Sequence, residues 1–109
     1  MDLPRWILVD RRTGQTFREV FATPAETLYE TLARNGLPIR TSCRGSTICG
    51  QCWVEVSEAD WSAVTPAAPD EQVLLDRFAP GEPRARLSCR LAVPRDRSTV
   101  TVATDYWAR

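Results

Sequence analysis

All four cysteines of the chain fall into one pattern. Cys43, Cys49 and Cys52 form a C-x5-C-x2-C run, and Cys89 stands 37 positions beyond it. There is no histidine anywhere, so imidazole bases and imidazole metal ligands are excluded, and neither a Ser-His-Asp nor a Cys-His site can form within the chain. The chemistry open to this set is thiolate chemistry.

Several thiol arrangements can be weighed against the spacing. A zinc ribbon uses two C-x2-C pairs, whereas this chain has one such pair and two lone cysteines. Disulfides require an oxidising compartment. The opening run Met1 to Asp10 is too short in apolar residues for an export signal and carries Asp2 and Pro4 before any basic residue, so a reducing, cytoplasmic setting is expected. A thioredoxin-type C-x-x-C pair would leave Cys43 and Cys89 without a role and lacks its βαβ context. Four inert buried thiols fit poorly with three of them lying in a glycine-containing loop.

A [2Fe–2S] cluster accounts for the whole layout. Two irons bridged by two sulfides take four thiolates. Gly45 and Gly50 let the loop backbone bend close to the group without a Cβ in the way. Backbone N–H groups of such a loop can face the sulfides, and a thiolate from a distant strand ties the loop to the core. The expected ligands are Cys43, Cys49, Cys52 and Cys89.

The rest of the chain must position these residues. Arg5 to Val9 is expected as a strand, Asp10 to Gly14 as a hairpin connection, and Thr16 to Phe21 as the returning strand. Thr23-Pro24-Ala25-Glu26 carries a helix-start signature, with Thr23 as cap, Pro24 at the first position and Glu26 closing a capping box. Ala25, Leu28 and Leu32 then share a face, and Asn35-Gly36 ends the helix. Leu37 to Cys52 fits neither period. Trp53 to Val56 reads as a strand, Ser57 to Ala68 as irregular chain with Trp61 packed on the body, and Pro69 to Phe78 as a second helix. Pro80-Gly81-Glu82-Pro83 breaks it, and Arg86 to Leu91 and Ser98 to Val102 read as further strands. The order β-β-α-loop-β-α-β-β predicts an α+β domain with one main helix packed across a mixed sheet. The length of 109 residues suits a single domain over 1–109.

At the cysteines the sequence resembles the [2Fe–2S] ferredoxins. The x5 gap looks like the adrenodoxin and putidaredoxin branch rather than the plant type, whose first gap is x4. Arg86-Leu87-Ser88-Cys89-Arg90 is similar to the R-L-x-C-Q segment that supplies that branch's fourth ligand. Cys49 to Val56 also resembles ferredoxin modules of flavin-containing reductases. The resemblance implies a β-grasp fold, one-electron transfer without an enzymatic activity of its own, a flavin-containing reductase upstream, and an oxygenase or other oxidoreductase as acceptor. A cluster-based sensor, or a dedicated subunit of a larger oxidoreductase, is the alternative role. The chain departs from the pattern in having Arg44 after the first ligand and Trp53 after the third.

Composition bounds the partners. Lys plus Arg and Asp plus Glu are equal at 14 each, so the basic excess of a nucleic-acid binder is missing. No stretch approaches the roughly 20 apolar residues of a membrane span. Arg40, Arg44, Arg84, Arg86 and Arg90 lie close in sequence to ligands and read as a solvated rim. Asp70, Glu71 and Asp76 make an acidic second helix, interrupted by Val73 and followed by Arg77. Together these suggest a two-signed docking face for redox proteins. Trp53 is read as packing, and Glu55 and Glu58 as facing solvent.

Overall fold

The computed structural model describes residues 3–23, 26–37 and 52–104. Strand β1 (Arg5–Asp10) and strand β2 (Thr16–Phe21) form the expected antiparallel hairpin. Its turn closes because Asp10 works twice. Its carboxylate accepts the Arg12 N–H at 2.9 Å, and its carbonyl accepts the Gly14 N–H at 2.7 Å. Gly14 sits at φ 76°, a left-handed conformation that disfavours a Cβ.

Helix α1 spans Leu28–Arg34 and begins later than the sequence signature suggests. Two capping boxes compete four residues apart. Thr27 caps α1, its Oγ accepting the Glu30 N–H, while the Glu30 carboxylate accepts the Thr27 N–H. Tertiary contacts select this second box. The Leu28 N–H donates to the Leu91 carbonyl at 2.8 Å and the Tyr29 N–H to the Ser88 carbonyl at 2.9 Å, so the helix's open donors are satisfied by the segment around Cys89. Pro24 and Ala25 lie outside the described residues. Gly36 ends the helix at φ 65°.

Strand β3 (Trp53–Val56) begins directly after Cys52, with the expected bounds. The following stretch is not wholly irregular, because a short helix, α2 (Glu58–Trp61), forms there. Asp60 anchors it, accepting the Ser57 hydroxyl at 2.7 Å and the Thr101 N–H at 2.9 Å. Trp61 does not pack down as expected and remains 36% exposed. Helix α3 (Pro69–Phe78) starts on Pro69 as anticipated. The strand expected over Arg86 to Leu91 is confined to β4 (Ala85–Leu87), because the chain turns at once, with the Arg90 N–H donating back to the Leu87 carbonyl at 3.0 Å. Strand β5 (Thr99–Thr104) runs two residues past the expected end.

The strands form one mixed sheet in the order β2-β1-β5-β3-β4, with β1 and β5 parallel at its centre. Period-two alternation turns Trp6 and Leu8 of β1, Val54 and Val56 of β3, and Val100 and Val102 of β5 to one face. Leu28, Leu32 and Leu91 pack against them to make the main core. Each such side chain stabilises by about 1.5–3 kcal/mol relative to exposure. A second, smaller cluster holds Leu75 and Ala79 of α3, Ala85 and Leu87 of β4, and Cys52, with Cys89 packed against it.

Candidate metal centre

The fold brings two of the four expected ligands together. Cys52 precedes β3, and Cys89 follows β4 by two residues. The antiparallel pairing of β3 and β4 sets Trp53 opposite Leu87, and beyond it the Ser88 N–H donates to the Cys52 carbonyl at 3.2 Å. The Cys52 and Cys89 sulfurs therefore lie 3.7 Å apart. Cys43 and Cys49, with Arg40, Arg44, Gly45 and Gly50, lie outside the described residues.

The 3.7 Å separation is a chemical statement. It is far longer than a disulfide bond of about 2.05 Å. Two thiolates on one tetrahedral metal at about 2.3 Å per bond stand about 3.8 Å apart, so the pair fits joint ligation of one metal atom. Cys52 is 1% exposed, yet its thiol is held below the ordinary value. The neighbouring Cys89 thiol is the main cause; burial opposes it, and backbone N–H groups of Ser88 and Cys89 assist. Such surroundings favour the anionic, metal-binding form of sulfur.

The segment carrying Cys89 is pinned from three sides. From α1, Tyr29 donates to the Ser88 carbonyl. From β3, the Cys52 carbonyl takes the Ser88 N–H. From α3, Glu71 reaches β4. Its Oε2 accepts the Arg86 Nε at 2.6 Å and the Leu87 N–H at 3.0 Å, while its Oε1 accepts the Arg86 Nη2 at 2.9 Å. The Arg86 Nη1 donates to the Thr65 carbonyl. With side chains 1% and 3% exposed, Glu71 and Arg86 are neither an acidic docking residue nor a rim arginine, which corrects both readings. Burying the two charges requires this mutual pairing and the extra hydrogen bonds. No periodicity signal marks them, because a three-residue strand in which every position is buried has no polar face to read.

The remaining rim behaves as surface charge. Arg90 pairs with Asp70, and Arg84 lies 3.7 Å from Glu55 and 3.9 Å from Glu58. Glu55 is half-buried rather than solvent-facing, and Arg11, held by Glu82 at 2.6 Å, stacks 5.2 Å over the Trp53 ring. This stack shields the residue next to Cys52. The outer face of α3 exposes Asp70, Val73, Asp76 and Arg77.

Ser88 was not singled out by sequence reading. It is fully buried, and its hydroxyl has no hydrogen-bond partner among the described residues. Only its place between Leu87 and Cys89 could have drawn notice.

The family described as the 2Fe-2S iron-sulfur cluster binding domain matches residues 11–94. Terpredoxin of a Pseudomonas species is 35% identical over 95 residues, covering 84% of this chain and 86% of its own. A ferredoxin from Rhodopseudomonas palustris HaA2 shares the fold, with TM-score 0.82 at 22% identity over 93% of this chain and 95% of that one. Putidaredoxin, in a covalent complex with putidaredoxin reductase, superposes with TM-score 0.77 at 27% identity, over 91% of this chain and 95% of that one.

Proposed function

This chain belongs to the 2Fe–2S iron–sulfur cluster binding domain family, and from that premise we propose that Cys43, Cys49, Cys52 and Cys89 ligate its [2Fe–2S] cluster. The observation that carries the assignment is the 3.7 Å separation of the Cys52 and Cys89 sulfurs, which suits two thiolates on one iron. Cys43 and Cys49 then serve the other iron, which uses every cysteine of the chain.

The chain is a ferredoxin-type electron carrier. The cluster supplies one-electron chemistry. The protein's own residues hold the thiolates, exclude water from Cys52 and present the site to a partner. A flavin-containing reductase delivers the electron, a reading supported by putidaredoxin's complex with its reductase, and an oxygenase or other oxidoreductase receives it. The chain itself carries out no catalysis and works in the cytoplasm, where thiols stay reduced. The exposed face of α3 around Val73 and Asp76 is the docking surface for these partners.

The test is analytical and spectroscopic. Purified protein should contain about two irons and two acid-labile sulfides per chain, with a spin-resonance signal that appears on dithionite reduction and vanishes on reoxidation without iron loss. Serine at any one of the four cysteine positions should abolish or severely destabilise that signal. One zinc and no sulfide would overturn the ligand assignment. Iron release on each oxidation cycle would point to a sensor instead.

A further inference from the structure

We infer that the Ser88 hydroxyl is a tuning residue that donates a hydrogen bond to the thiolate of Cys52 and so raises the reduction potential of the bound cluster. This rests on the ligand assignment above.

Ser88 is 0% exposed. Its backbone is fully engaged, the N–H on the Cys52 carbonyl at 3.2 Å and the carbonyl on the Tyr29 N–H at 2.9 Å. The backbone is therefore held in place, and burial keeps the hydroxyl from water. That hydroxyl is left without a hydrogen-bond partner among the described residues. A buried hydroxyl in that state costs about 1–3 kcal/mol, and an alanine or glycine at this position would avoid the cost. Two ligand sulfurs belong to the immediate neighbours of Ser88, Cys89 next in the chain and Cys52 across the strand pair, and they lie 3.7 Å from each other. The antiparallel register that pairs Trp53 with Leu87 carries on to set Ser88 across from Cys52, and residues directly opposite in such a pair turn their side chains to the same face. A thiol is a weak acceptor, whereas a metal-bound thiolate carries negative charge and is a better one. Metal ligation thus supplies the partner that the hydroxyl lacks.

The effect on the cluster has a definite sign. Reduction adds an electron to the cluster and its thiolates. A donor aimed at a ligating sulfur stabilises that added negative charge, so the reduced form gains more than the oxidised form. Removing the donor lowers the potential.

The experiment is a redox titration of the intact holoprotein and of Ser88→Ala, Ser88→Cys and Ser88→Thr, with iron and sulfide counted in each. Ser88→Ala should disfavour the reduced form about tenfold at a fixed electrode poise, which is about 59 mV for a one-electron couple. Ser88→Thr keeps the hydroxyl and should stay near the parent. Ser88→Cys keeps the size but has a weaker donor and should fall between them. Pulsed spin resonance of the reduced protein in deuterated water should show an exchangeable coupling in the parent and in Ser88→Thr that Ser88→Ala lacks. Should Ser88→Ala fail to hold its cluster, Ser88→Cys against the parent decides. Equal potentials in variants with full iron and sulfide would overturn the tuning role and leave the ligand assignment standing. Parent protein without iron and sulfide would overturn both.

Discussion

Glu71 and Arg86 meet as a bidentate pair inside the protein, one on α3 and the other on β4, with bonds of 2.6 and 2.9 Å. The oxygen that receives the Arg86 Nε also receives the Leu87 N–H. One carboxylate thereby fixes both the side chain and the backbone of the strand that leads to Cys89.

Removing one partner leaves the other charge buried and alone. Glu71→Gln or Arg86→Met should each destabilise the protein by about 3–5 kcal/mol, read as a shift in the urea midpoint of the holoprotein. Cluster loss should quicken in the same variants, because the Cys89 segment is no longer anchored from α3. A shift below about 1 kcal/mol, the range of exposed ion pairs, would show that the pair is solvated in solution.

Glu26 gives a pH signature in the main core's flank. The Arg34 guanidinium, at 2.9 and 3.0 Å from its two oxygens, is the main cause that holds its carboxyl down to about 2 from 4.5; burial opposes, and the Thr31 hydroxyl and Thr23 N–H assist. A carboxyl with a lowered folded value stabilises fully above its unfolded value. Its contribution is lost as pH falls from about 4.5 towards 2. The gap in denaturation midpoint between parent and Glu26→Gln should therefore be constant from neutral pH to about 5.5 and narrow below about 4.5. A gap that stays constant through that lower range would contradict the linkage.

Docking predicts a salt dependence. Asp76 is exposed and belongs to no ion pair among the described residues, so it is free to meet a basic partner. Electron transfer with the reductase should slow as salt rises, since charges at the rim are screened over about 8 Å at physiological ionic strength. Asp76→Arg should lower the association rate at low salt without altering the cluster spectrum, and Arg44→Glu should do the same if the face is two-signed. Unchanged rates for both would place docking elsewhere.

The cysteine spacing alone identified the cofactor class, because four thiolates and no imidazole leave few chemistries open. The central strands were equally legible: Trp6 to Val9 is a short apolar run, and Val100 and Val102 alternate with Thr99 and Thr101 at the period a half-buried sheet imposes. The sequence did not determine where α1 begins. Thr23 and Thr27 both head a capping box, and carbonyls from Ser88 and Leu91, some sixty positions away, decide between them. Nor could charge type distinguish Arg86 from Arg84 or Glu71 from Asp70. A charged side chain reads as surface until another element buries it with a partner, and that pairing is a property of α3 packing on β4. The buried Ser88 hydroxyl beside Cys52 likewise exists only once β3 and β4 are paired, because local sequence carries a residue's chemistry while its environment is set by distant chain.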